Sequence, residues 1–283
     1  MGRTRRGLPI RSSGGRLQAG RTGLEDQATS GRLAADGSGS PARKPPTKRQ
    51  LDAIYTALRE AHGPQQWWPT ASEDPEEQRF EICLGAILTQ NTSWRGAAAA
   101  LANLRAEGLT DAASILDVPL DVLGDLVRPS GHFNVKARKL HAFCEAVLFD
   151  GGGSVDGLLE GEPHEVSTRL LAIWGIGPET ADAMTLYAAR KSTFVVDAYA
   201  YRIFERLGCP PGPRKYDVYR DFLLARLGPD VSFLNEWHAL LVRHGQQVCT
   251  KSRPKCEGCP LLRRCGFGRA ELQHQKPHTL TEP

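Results

Sequence analysis

No stretch of the 283-residue chain approaches the roughly 18 consecutive apolar residues of a membrane-spanning helix. A helical membrane protein is therefore excluded. The Arg-rich N-terminus has no apolar run of signal-peptide length, so secretion is not expected. Cysteine is sparse outside one short segment. Of the seven, Cys83, Cys144 and Cys209 lie scattered on apolar or loop positions and read as structural, which excludes a secreted disulfide scaffold. Alternating apolar–polar runs are nearly missing too. Only residues 192–196 read as extended, and no internal repeat is evident. The expectation is a soluble cytoplasmic protein.

Net charge is small, +4, but unevenly placed. Residues 1–47 carry nine Arg or Lys against three acids, and residues 243–269 carry seven against one. The middle, residues 48–242, is acidic, with 19 basic residues against 26 acidic ones. Basic character at the tail and near the clustered cysteines suits a polyanionic partner. Residues 1–47 are rich in Gly, Ser and Arg without apolar periodicity, and are expected to form a disordered basic extension.

From Lys48 the pattern is helical: Leu51, Ile54, Tyr55 and Leu58 follow the i, i+3, i+4, i+7 spacing of one helix face. The same periodicity recurs over residues 80–90, 94–104, 120–127, 135–148 and 166–173. It continues over 180–189, 198–207, 216–227 and 233–242. Short Gly/Pro punctuation separates these segments, so the fold is predicted to be all-α.

The segment CTKSRPKCEGCPLLRRC holds Cys249, Cys256, Cys259 and Cys265 with spacing C-x6-C-x2-C-x5-C. Four thiolates this close can wrap one metal centre. Zinc takes four cysteines, but usually from two short knuckles. Here only Cys256 and Cys259 form a knuckle, which suits a cubane iron–sulfur cluster better. Lys251, Arg253, Lys255, Arg263 and Arg264 interleave with the cysteines, able to balance the cluster's charge or to meet phosphate.

The stretch GIGPETAD has helix on both sides, with Pro178 suited to a first helical position. Gly175, Ile176 and Gly177 would then present backbone amides to a phosphate, as helix N-termini do. Glu179 puts a carboxylate where a cation is expected. Further on, Asp197 follows three apolar residues and opens a helix. It reads as an N-cap, a role that would also hold an ionised carboxylate in place.

GIGPETAD, VVDAYAYR and HALLVRHGQQVCTKSRPKCEGCPLLRRC together resemble the endonuclease III branch of the helix–hairpin–helix DNA glycosylases. The resemblance spans residues 50–268. It implies a two-lobed all-α fold: a six-helix barrel lobe over 77–192, and a cluster lobe from 48–76 and 193–270, followed by a tail over 271–283. It also implies a 4Fe–4S cluster on the four cysteines, Asp197 as the catalytic aspartate, and a monomer acting on damaged double-stranded DNA. Gln90 and Asn91 match residues that enter the gap left by a flipped base. One departure matters. Bifunctional members carry at position 179 the lysine that forms a Schiff base with the sugar, and Glu179 cannot form that imine.

WWP (Trp67, Trp68, Pro69), LTQNTSW (ending at Trp94) and VRPSGHFNVKARKL are similar to bacterial 3-methyladenine glycosylases of the superfamily, which also carry glutamate at this position. The expectation is a monofunctional glycosylase for alkylated purines, with the tryptophans stacking on an electron-poor base. A glycosylase for oxidised pyrimidines with weak lyase activity, and a non-catalytic lesion binder, are the alternatives.

Overall fold

The computed structural model describes residues 44–275, so most of the expected N-terminal extension and the end of the tail lie outside the described residues. The described chain is helical, with no strand among the described residues. Thirteen α-helices follow one another among the described residues. The first seven are α1 (Lys48–His62), α2 (Pro75–Leu88), α3 (Trp94–Ala106), α4 (Ala112–Leu116), α5 (Leu120–Leu126), α6 (Phe133–Phe149) and α7 (Val155–Leu158). The remaining six are α8 (Pro163–Ala172), α9 (Pro178–Ala183), α10 (Ala198–Leu207), α11 (Tyr216–Leu227), α12 (Val231–Gln247) and α13 (Gly266–Gln275).

Helix α2 is the hub. Its apolar run from Ile82 to Leu88 is buried on every side, as expected of a helix without a polar face. It packs against α3, α6, α7, α9 and the turn after α9. Its start lies five residues before the apolar periodicity does. The Asp74 carboxylate accepts the Glu76 and Glu77 amides at 2.9 and 3.0 Å, and Pro75 follows at the first helical position. The C-terminal end is held differently: the buried Lys136 ammonium donates to Leu88 O at 2.7 Å and Ser130 O at 2.6 Å. Burial, and then the charge of Lys139, lower its pKa to about 8.

A second centre forms around Trp237 of α12, which is fully buried. Phe204 of α10 stacks on it at 6.1 Å, and Phe194 and Tyr55 approach at 6.2 and 6.3 Å. Thus α1 packs on α11 and α12, so the first described helix joins helices from the C-terminal part of the chain. The carboxylate of Glu236 strengthens that junction by accepting the Gln65 amide at 3.0 Å and Arg59 Nη1 at 3.3 Å. The loop after α1 is thereby anchored on α12.

Three segments depart from the periodicity. Residues 192–196 form a buried connection rather than a strand. Asp182 ties this connection to α11, accepting from Thr193 Oγ1 and Tyr216 Oη, both at 2.7 Å. The helix expected over 180–189 is α-helical only to Ala183 and then widens into a π-turn, Met184–Ala188. There the Thr185 hydroxyl takes the Ala181 carbonyl at 2.8 Å, competing with the regular backbone ladder. Lastly, α13 runs through position 271, where a tail was expected to begin, because Leu262 and Cys265 give it a partly buried face.

Asp74→Ala should lower stability by about 1 kcal/mol through loss of the α2 cap. A urea titration monitored by circular dichroism would measure the shift.

Candidate active site

Between α2, α3, α9, α10, α12 and the loop after α1 lies a cleft of ≈ 720 Å³ open to solvent. Three of the sequence-predicted aromatic residues meet there. Trp67, Trp68 and Trp94 surround one another with ring centroids 4.8 to 5.3 Å apart, edge to face or tilted, each half-buried. Trp68 lies close against α2 at Gly85: a Cβ there would lie 3.0 Å from its ring, which would have to shift by a few tenths of an ångström. Pro69 is exposed and borders a neighbouring recess rather than the cleft itself.

Asp197 and Glu179 face the same cleft. Asp197 is the N-cap of α10, and its Oδ1 accepts the Ala200 amide at 2.8 Å. Oδ2 lies 3.7 Å from Nε2 of the buried His238. On the other side of that ring, Nδ1 is 2.5 Å from Tyr187 Oη. Tyr187 comes from the π-turn, and its ring meets Trp68 at 5.5 Å. Glu179 is solvent-accessible in the first turn of α9, yet the walls of the cleft surround it. Loss of solvation, reinforced by the charge of Asp197 and opposed by His238, raises its carboxyl to about 7.

The hairpin between α8 and α9 stands beside this cleft. Gly175 has φ +87°, and a Cβ there would lie 2.5 Å from Lys139 Cγ, so a side chain is barred twice over. Ile176 does not serve as expected. Its side chain is buried and its amide donates to Ile173 O at 3.1 Å, closing the turn instead of facing outward. Gly177 caps α9. Gln90 lines the cleft, and its amide nitrogen donates to Gly175 O at 3.2 Å and Thr180 Oγ1 at 2.9 Å. Its oxygen accepts from Lys139 at 2.5 Å. Asn91 is exposed in a left-handed conformation, φ 54°, at the lip.

The four C-terminal cysteines line one recess together with Arg206, Leu262 and Phe267. Among the described residues no three His, Cys, Asp or Glu side chains converge as they would on a single metal ion. Arg206 of α10 donates to Cys249 Sγ at 3.3 Å and Thr250 O at 2.7 Å, and Arg202 to Cys249 O at 2.8 Å. The Gly268 amide points at Cys265 Sγ, 3.2 Å away. Burial, opposed by a hydrogen bond from the Leu261 amide and reinforced by the negative charge of the other three sulfurs, pushes the Cys259 thiol up to about 11. Sulfurs crowded this way repel one another once ionised, and a cationic centre between them relieves that repulsion.

The sequence reading missed His238, Tyr187 and Arg206. A histidine in the apolar run WHALLV and a tyrosine in an apolar helix look like core residues; the fold makes His238 part of the cleft wall, with the buried Tyr187 behind it. Arg206 is one of many exposed-looking arginines on an amphipathic helix.

A helical scaffold that sets a hairpin beside a tryptophan-lined cleft with a capping aspartate is that of a helix–hairpin–helix DNA glycosylase. The chain belongs to the HhH-GPD superfamily of base excision DNA repair proteins, whose family profile matches residues 84–225. A Methanocaldococcus jannaschii protein provisionally named a DNA repair glycosylase is 38% identical over 214 residues, covering 75% of this chain and 94% of its own length. Endonuclease III of Sulfolobus acidocaldarius is 28% identical over 66% of this chain and 82% of its own. Among solved structures, H. pylori 3-methyladenine DNA glycosylase bound to 1,N6-ethenoadenine is 27% identical, with TM-score 0.60 over 70% of this chain and 97% of that one. An endonuclease III–DNA complex shares the fold at TM-score 0.67 and 20% identity, over 81% and 99%. The protein is thus a DNA glycosylase, an enzyme that hydrolyses N-glycosidic bonds in DNA.

Glu179 gives a pH signature. Its folded pKa lies above the unfolded value of 4.5, so ionising it in the fold is unfavourable. This contribution to stability is favourable at low pH and is lost as pH rises toward 7. Glu179→Gln should melt higher than wild type at pH 8, with the gap closing by about pH 5. Thermal denaturation at the two pH values measures this.

Proposed function

We propose that the enzyme is monofunctional and removes alkylated purines such as 3-methyladenine. The observation that carries this reading is one cleft holding three tryptophans, Asp197 and Glu179, without a lysine among its lining residues. Indole faces attract an electron-poor, often cationic base by stacking and cation–π forces. Such a base is already a good leaving group, so neither strong acid assistance nor a covalent nucleophile is required. The likeness to the H. pylori 3-methyladenine enzyme supports the same substrate class.

In this mechanism the hairpin and Lys139 hold the strand, and the damaged base swings out between the tryptophans. Gln90 releases its bonds to Gly175 and Thr180 to fill the vacated stack, with Asn91 beside it. As the glycosidic bond lengthens, positive charge grows on the sugar. Asp197, fixed by its bond to Ala200, stabilises that charge electrostatically. Water completes the hydrolysis. Glu179, its carboxyl raised to about 7, is only partly ionised near neutral pH and forms no imine.

The crowded sulfurs, the Arg206 guanidinium and the Gly268 amide aimed at them fit a 4Fe–4S cluster held by Cys249, Cys256, Cys259 and Cys265. A cubane accepts one cysteine per iron. Such a centre would hold together the loop between α12 and α13. The barrel lobe over 77–192 and the cluster lobe from 48–76 and 193–270 are the corresponding division of the chain.

Incubation with methylated duplex DNA should release 3-methyladenine, with strand nicking only after hot alkali. Excision of thymine glycol alone would favour the oxidised-pyrimidine reading. Asp197→Asn should reduce release by at least about 10²-fold while leaving DNA binding intact. In the purified protein, a broad absorption near ~400 nm together with four irons per chain is expected of the cluster. Zinc in their place would refute it.

A further inference from the structure

Two histidines stand outside the base cleft and beside the cysteine recess. His244 of α12 is only 1% exposed, and each of its ring nitrogens faces one partner. Nδ1 lies 3.1 Å from Nε2 of the half-buried His62, the last residue of α1. Nε2 lies 3.7 Å from Cys259 Sγ, within reach of a hydrogen bond to sulfur. The two rings are tilted by 60° rather than stacked. The backbone of His244 serves the same segment: its carbonyl accepts the Cys249 amide at 2.8 Å and the Val248 amide at 2.9 Å. One residue therefore holds two of the four cysteines, Cys259 through its ring and Cys249 through its carbonyl.

We propose that His244 donates Nε2–H to the Cys259 sulfur when the 4Fe–4S cluster is bound, and that His62 fixes it in that role. The inference rests on the reading of the four cysteines as ligands to a cluster. The direction of the bond follows from chemistry, not from its length. A thiolate bound to iron carries no proton, so its sulfur can only accept, and the proton of this contact belongs to His244 Nε2. With Nε2 protonated, the uncharged ring keeps a lone pair on Nδ1, and His62 Nε2–H donates to it. His62 acts through His244, as a positioning residue.

Three of the four sulfurs then meet a side-chain or backbone donor. Arg206 Nη1 points at Cys249 Sγ from 3.3 Å and the Gly268 amide at Cys265 Sγ from 3.2 Å, with His244 completing the set at Cys259. Such donors draw electron density from the thiolates and favour the reduced, more negative state of the centre. Losing one therefore lowers the midpoint potential. The histidine pair also ties α1 to a segment 182 residues further along the chain. The His62 carbonyl accepts Gln65 Nε2 at 3.1 Å, so the loop that carries Trp67 and Trp68 begins at the same anchor.

The test uses purified holoprotein and reads iron content, midpoint potential by voltammetry, and the lifetime of the absorption near ~400 nm in air with excess EDTA. His62→Leu should bleach about tenfold faster than wild type and show a lower midpoint potential. His62→Gln, whose amide can still donate to Nδ1, should bleach within about threefold of the wild-type rate at a near wild-type potential. His244→Leu should lower the potential as well, and if it loads no iron, His62→Leu decides. Faster bleaching of His62→Leu at an unchanged potential reports packing alone and overturns the proposal. Wild-type behaviour of both leucine variants overturns it too, while four irons per chain in the wild type leave the cluster reading standing. Zinc in the wild type, or no metal, overturns both.

Discussion

The hydrogen bond from the Ala200 amide to Asp197 Oδ1, 2.8 Å long, is the contact on which the site depends. It starts α10 and fixes a carboxylate at the floor of a cleft in the same stroke. A capping aspartate is held in one rotamer by an amide that otherwise has no partner in the helix. The apolar connection before it is buried, and Asp182 moors that connection to α11. The Asp197 carboxylate is thus positioned by the same interactions that let the chain leave α9 and begin α10.

Around that charge the protein arranges three kinds of surroundings. Tryptophans from the loop after α1 and from α3 offer faces to a base, held in place by Glu236 and by the missing side chain at Gly85. The Tyr187–His238 pair backs the carboxylate from the core. On the open side stands Glu179, a carboxyl whose pKa is raised to about 7. A lysine there would bring a nucleophile. A glutamate brings a carboxyl that is only partly ionised near neutral pH, and no amine. The chemistry that suits this arrangement is departure of a base that needs little help.

Much of this was legible in the chain, and the limits have physical causes. Helices with an apolar face were readable from spacing, because burial imposes a period of 3.6 residues. The start of α2 was not, since its first turn is set by the Asp74 cap and by Pro75 and carries no apolar side chain of the helix face. Motif order placed Asp197, Glu179 and the tryptophans together, and the fold brings them into one cleft. The hairpin was recognised, but not that the Ile176 amide closes the turn. His238 and Tyr187 escaped notice because an ionisable residue in an apolar helix shows its role only through what it faces. The same holds for Arg206, whose partners lie more than forty residues away in the chain.

The central claim is that the cleft stabilises a departing base without attacking the sugar covalently. Borohydride reduction during reaction with methylated duplex DNA tests it most directly, since it traps any imine between protein and sugar. The account predicts base release with no trapped protein–DNA adduct. A borohydride-dependent adduct with the wild-type enzyme would contradict it.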